Sequence, residues 1–242
     1  MSQPTAKQVS AELRTLANPK QAANLSWFFK TGKGEYGEGD VFLGIKVPQS
    51  RTVAKKFASL SLSEIEKLSK SKYHEERFTA IVILVNQFKK AKTEAEQKSL
   101  FDFYVKLVDQ GSVNNWDLVD VSAPYFGEYL FTKSNPTKYL LQFGKRGHLW
   151  RERVAIMFTF PFIRVGNTEV AFEVVEKYLH HEHDLIHKAA GWMLREAGKR
   201  SISQLRSFLS AHAADMPRTM LRYAIEKLPE QERKRWLSLT SN

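Results

Sequence analysis

The sequence predicts an all-α fold, a superhelical array of antiparallel helix pairs. Three observations carry the prediction. Apolar residues recur at helical spacing almost throughout the 242 residues. Gly, Pro and Asn punctuate the chain at regular intervals. From about residue 73 the helices pair, each pair taking roughly 35–40 residues with its turn, which is the period of a HEAT-type α-solenoid. The repeats share a rhythm rather than a sequence, and stacking them buries a continuous core and leaves a concave, basic binding face. A single domain over 1–242 is expected, with N-terminal helices at 1–30, a Gly-rich connector at 31–47 and helical repeats at 48–242.

The elements follow in order. Helices are expected at 5–16 and 19–30, the second opened by Asn18-Pro19, and at 48–58, opened by Pro48. A short helix at 61–69 precedes the segment 73–90. That segment contains the best strand candidate, Ile81-Val82-Ile83-Leu84-Val85, but the run lies inside a longer helical period and is read as helix. Next come 93–109, ended by Gly111-Ser112, then 114–131, and 134–145 opened by Asn135-Pro136. Helices at 149–164, 167–179 and 182–198 follow Gly147-His148, Gly166-Asn167 and the histidine-rich turn, the last ending at Gly198. The final ones are 201–213, 216–227 and 229–237, the last opened by Pro229. Residues 31–40 break this rhythm, with four of the chain's twelve glycines. They are too polar for a core and lack the pattern of a phosphate-cradling loop, so a mobile connector is expected there.

Composition narrows function. With no cysteine, the chain has no disulfide scaffold, thiolate nucleophile or cysteine metal site. No apolar run reaches the roughly 18 residues of a membrane span, and Met1 to Lys7 shows no signal peptide, so a cytoplasmic protein is expected. The formal charge is +11, from 37 Lys+Arg against 26 Asp+Glu. Arginine is skewed, with 3 in residues 1–120 and 11 in residues 121–242. Clustered cations, arginine above all, suit a polyanionic partner whose counterions they release.

Two helices concentrate the chemistry. In Asn114-Asn115-Trp116-Asp117-Leu118-Val119-Asp120, Asn114 is a good N-cap and Asp117 suits the first turn, which accounts for both structurally. Asp120 lies beyond any capping role and shares a helix face with Trp116, four residues before it, although on this segment alone a half-buried Trp beside a solvated Asp is the better account. Further on, Lys188, Trp192, Arg195 and Lys199 fall at i, i+4, i+7 and i+11, three cations interleaved with an indole on one stripe. Gly191 leaves room there for a close neighbour, protein or ligand. An amphipathic helix with snorkelling cations accounts for the same stripe without any ligand. His180, His181, His183 and His187 cluster, and His183 with His187 has two-ligand metal spacing; without a third ligand a polar helix–helix corner is the better account, and no metal is expected.

In sequence order, these motifs resemble the AlkD family of DNA alkylation repair glycosylases. The likeness is carried by Phe42-Leu43-Gly44-Ile45-Lys46-Val47-Pro48-Gln49-Ser50-Arg51, Asn115 to Asp120, Arg151-Glu152-Arg153-Val154-Ala155, Gly191 to Glu196, and Arg218 to Lys227. Each is weak alone; the ordered set is specific and spans nearly the whole chain. The resemblance implies a HEAT-like fold and excision of N3- and N7-alkylated purines from double-stranded DNA, with no cofactor; a self-contained curved shell makes a monomer the expectation. It implies Asp120 as the catalytic carboxylate, Trp116 and Trp192 as aromatic walls against the deoxyribose, and Arg153 as a phosphate contact. Arg195, Lys188 and Lys199 join the DNA-binding set. Phe28 stands where the family carries a tyrosine, keeping the ring and losing the hydroxyl. Pro161 replaces a common lysine, Asp184-Leu185 replaces an aromatic pair, and 31–40 looks like an insertion. Two other readings stay open: a catalytically silent DNA-binding protein, and a protein-interaction scaffold.

Overall fold

Side-chain caps set where about half of the described helices begin. The structure, a computed structural model, describes residues 3–144 and 147–239. By contacts it divides into two compact units, one ending at Phe126 and the other beginning at Gly127.

In the first unit, Thr5 caps α1 (Ala6–Thr15) in a reciprocal box with Gln8, and Asn18 caps α2 (Pro19–Phe28) with Pro19 in the first turn. α3 (Val47–Lys56) follows, and Ser61 caps α4 (Leu62–Ser69). α5 (His74–Lys90) contains the β-branched run at 81–85 and is helical throughout. Nearly all of it from His74 to Val85 is buried, because α3, α4, α6 and α7 surround it. A helix enclosed on every side is apolar all round, which is why its sequence imitates a strand. Thr93 and Glu96 box the start of α6 (Glu94–Asp109), and α7 spans Trp116–Phe126.

Two contacts give the chain direction. His74 at the start of α5 reaches Asp117 at the start of α7, and Lys89 at the end of α5 lies over Tyr125 at the end of α7. The two helices therefore run the same way, and the intervening α6 returns, as repeating pairs require.

In the second unit, a 3₁₀ turn (Gly127–Thr132) leads to α8 (Pro136–Phe143), capped by Asn135, and α9 (Leu149–Met157), capped by His148. α10 (Phe160–Arg164), α11 (Glu169–Glu176), α12 (Asp184–Arg200), α13 (Ile202–His212), α14 (Arg218–Ala224) and α15 (Glu230–Ser238) complete it. α12 is the hub, packed by α9, α10, α11, α13 and α14. Among the described residues there is no strand, only an isolated bridge between Val41 and Tyr73.

Two expected helices are shorter than their periodicity. The helix expected over 114–131 stops at Phe126 and continues as the 3₁₀ turn. Pro124 has no N–H for the Asp120 carbonyl, and Gly127 passes so close to Phe158 that a Cβ would sit 2.8 Å from its carbonyl oxygen. The helix expected over 149–164 breaks at Phe158-Thr159, because Pro161 cannot donate to Met157. The end of the helix expected over 134–145 lies outside the described residues at Lys145.

Gly191 makes its room for protein. A Cβ there would collide with the Met220 carbonyl oxygen and stand 2.6 Å from Tyr223 Cβ, both on the tightly packed α14. Gly191→Ala is expected to force α12 and α14 apart and lower stability by about 1–3 kcal/mol, read as a fall in urea midpoint at unchanged slope.

Candidate functional site

Aromatic residues from three segments meet around Trp116. Its ring stacks on Phe29 at 5.2 Å and 11°. Phe28, the ring expected as an aromatic wall, packs edge-on to Trp116 at 6.1 Å and to Phe29 at 5.3 Å, and is 55% exposed. Phe29 stacks in turn on Phe42, and Phe42 on the His74 imidazole at 4.6 Å. Trp116 is thus half-buried with one side backed by rings. Trp27, the neighbour of Phe28, is 83% exposed.

The start of α7 is held by a buried charge network. His74 Nδ1 lies 3.1 Å from Asp40 Oδ2 and Nε2 lies 2.8 Å from Asp117 Oδ2. Arg77 Nη2 donates to Asp40 Oδ1 at 2.5 Å and Nη1 to the Ser71 carbonyl at 2.9 Å. Asn115 Nδ2 donates to Asp40 Oδ2 at 3.1 Å, while its Oδ1 accepts from the Trp116 amide at 2.8 Å. Two carboxylates, an imidazolium and a guanidinium balance one another where an unpaired charge would be costly. One expectation changes here. Asn115, not Asn114, meets the first amide of α7, because Asp40 holds it in place; Asn114 Oδ1 is buried without a partner. The 31–40 segment is fixed at its last residue and closes on itself before it. Asp40 is tied into the network, Glu35 accepts from the Gly32 amide at 2.9 Å, and Glu38 accepts from the Gly34 amide at 2.8 Å.

Burial alone would lower the His74 pKa, but the charge and hydrogen bond of Asp117 and the hydrogen bond of Asp40 outweigh it and push it up to about 9. Asp40 is held below its usual range: burial opposes this, and the His74 hydrogen bond with the Arg77 charge overcomes it. A raised histidine pKa stabilises the fold fully below about pH 6.5, and that contribution is lost as pH rises through 9. Stability against thermal unfolding is therefore expected to fall between pH 7 and 9.5, by up to about 3 kcal/mol. His74→Gln should be less stable at pH 7 and nearly flat across that window; an equal fall in both proteins would clear His74 of the effect.

Asp120 sits one turn beyond Trp116 and is half-buried. Behind it Tyr104 is fully buried and hydrogen-bonded with Ser122 Oγ at 2.9 Å. Burial pushes the phenol pKa up and the Asp120 charge adds to the shift, so Tyr104 stays neutral beside the carboxylate.

In the second unit, Trp192 is half-buried on α12, 6.2 Å from the Phe160 ring, and its Nε1 donates to Glu196 Oε1 at 3.2 Å. The cations beside it are compensated. Lys188 pairs with Asp184 at 2.6 Å, Lys199 with Glu196 at 2.7 Å, and Arg195 with both Glu196 and Glu226. Glu196 thus gathers the indole and two of the stripe's three cations, a role that helical spacing did not reveal. Arg153, expected to stand out towards phosphate, is 4% exposed, and its Nη1 donates to the Leu185 carbonyl at 2.5 Å, bracing the start of α12.

The histidine cluster is a polar corner. His181 Nδ1 accepts from the His183 amide at 3.0 Å and its Nε2 meets Glu152 at 3.1 Å. His183 caps α12 through the Leu185 amide, and His187 bonds the His181 carbonyl. Burial and the neighbouring His181 hold the His183 pKa down. Among the described residues no group of three or more metal-ligating side chains is arranged to hold a metal, and no helix is long and apolar enough to cross a membrane.

The fold is an all-helical array, with candidate functional groups projecting from helices rather than from loops. Comparison identifies which kind. The family model described as DNA alkylation repair enzyme matches residues 9–228, and the chain belongs to that family. A search of curated proteins finds no match. A solved structure described as a predicted DNA alkylation repair enzyme from Enterococcus faecalis is similar with a TM-score of 0.70 and 20% identity, over 88% of this chain and 97% of that one. At that identity the likeness speaks for the fold alone. Family membership implies DNA as the partner and a repair enzyme as the role.

Proposed function

We propose that the protein is a DNA glycosylase that excises N3- and N7-alkylated purines from duplex DNA. The observation that carries this reading is Asp120, half-buried one turn from a Trp116 ring that is backed by Phe29 and flanked by Phe28. Alkylation at N3 or N7 makes the purine cationic, so it departs as a neutral base when its bond to C1′ breaks. Positive charge then develops on the sugar. A carboxylate pre-positioned at that point stabilises it and orients the water that adds to C1′, the water proton passing to solvent or to the carboxylate. Trp116 and Phe28 supply apolar and π-face walls for the deoxyribose, and Trp192 is a proposed aromatic contact on the second unit.

Arg153, Arg195, Lys188 and Lys199 are proposed as backbone contacts. For the last three, phosphate would exchange with Asp184, Glu196 or Glu226 in partly exposed ion pairs, which is inexpensive. Arg153 is 4% exposed and held on the Leu185 carbonyl, so a phosphate contact by it would require that guanidinium to be uncovered.

The test is release of 7-methylguanine and 3-methyladenine from methylated duplex. Release in excess of spontaneous loss is expected. Salt-sensitive duplex binding without release would make the protein a silent DNA binder, and absence of both would leave a protein scaffold.

A further inference from the structure

Four cations of the first unit that have no carboxylate partner among the described residues share one groove. α3 and α5 lie side by side, and between them is a cavity of about 530 Å³ lined by Arg51, Lys55, Val82, Asn86, Lys89 and Lys90. Arg51 and Lys55 are one turn apart on α3, and Asn86 and Lys90 are one turn apart on α5, so two polar rows face each other. The four cations are exposed and no acidic side chain lines the groove. Among the described residues none of the four has a carboxylate partner, in contrast to Lys56 next door, which pairs with Glu12 at 2.8 Å. Lys89 Nζ is held 3.5 Å from the Tyr125 ring centroid. Tyr125 lies on α7, the helix that carries Trp116 and Asp120, so the groove is one helix spacing, about 10 Å, from that helix.

We infer that this groove is a phosphate-binding track for the nucleic-acid backbone, gripping the duplex a few base pairs from the lesion. Four cations around so small a volume repel one another, and a phosphodiester relieves that while releasing counterions. Asn86 is the neutral donor that a phosphate oxygen accepts from at the groove floor. The arginine-rich half of the chain had drawn attention to residues 121–242, but the α12 cations are already paired, whereas these are not. The inference rests on the DNA-binding part of the proposed function and is independent of excision.

The experiment is the salt dependence of binding to an undamaged duplex by wild type and by the triple variant Arg51→Gln, Lys55→Gln, Lys90→Gln. Lys89 is left in place because it packs on Tyr125. Three lost phosphate contacts should lower the slope of log K against log salt by about 2–3, with an unchanged melting temperature. A control variant, Lys98→Gln on the exposed face of α6, should keep the wild-type slope. An unchanged slope in the triple variant overturns the inference. So does an unchanged slope together with lost binding to phosphatidylglycerol vesicles, which would give the groove to a membrane surface. Failure of wild type to release methylated purines would sink the glycosylase reading and leave this measurement intact.

Discussion

Asp120→Asn is expected to lower the single-turnover rate of 7-methylguanine release by about 10²–10³-fold, the scale set by removing one pre-positioned electrostatic group. The substitution keeps the shape and a hydrogen-bonding end but removes the charge that faces the developing sugar cation. Duplex binding should be equal or slightly tighter, since a negative charge near phosphate is gone. Asp120 is half-buried, and the network at the start of α7 runs through Asn115 and Asp117, so an unchanged melting temperature is the control that separates loss of charge from loss of fold. Parallel loss of binding, excision and melting temperature would make Asp120 a structural residue.

Glu75→Ala is expected to be the most damaging single change to the fold. The buried Glu75 carboxylate accepts from three consecutive amides, Leu43 at 2.9 Å, Gly44 at 2.8 Å and Ile45 at 3.1 Å. Truncation leaves those three donors without a partner at about 1–3 kcal/mol each, so a loss of at least about 3 kcal/mol follows. At the 2–4 °C per kcal/mol usual for chains of this size, the melting temperature should fall by about 6 °C or more. The loop cannot easily re-form elsewhere. Gly44 has φ +83°, and a side chain there would collide with the Asn18 carbonyl oxygen. Because Phe42 in this loop stacks on Phe29 and His74, aromatic near-ultraviolet dichroism should change as well. A shift under 1 kcal/mol would mean that water replaces the carboxylate.

The helices were legible because their apolar spacing and caps are local. Asn18-Pro19, Asn135-Pro136 and the Thr93–Glu96 box begin helices where the sequence places them. The lengths of α7 and α9 were not legible from periodicity, which is indifferent to a missing N–H at Pro124 or Pro161. Trp116 and Asp120 were legible as a pair because four residues make one turn. The network behind them had a visible signal: His74-Glu75-Glu76-Arg77 is an unbroken ionisable run opening the most apolar helix. Its partners did not, since Asp40 is 34 residues from His74, and Asn115 is 75 residues from Asp40.

By itself, then, the sequence determined the helical class, the pairing rhythm, the Trp116–Asp120 turn and the family likeness, all properties of neighbouring residues or of their order. Tertiary structure decided which charges are available. The stripe of Lys188, Arg195 and Lys199 is compensated by Asp184, Glu196 and Glu226, Arg153 is buried on Leu185, and Arg51, Lys55 and Lys90 stand around a groove without carboxylates. A charge acts through its distance to other charges, and for the buried network and the groove those distances are set between helices far apart in the chain.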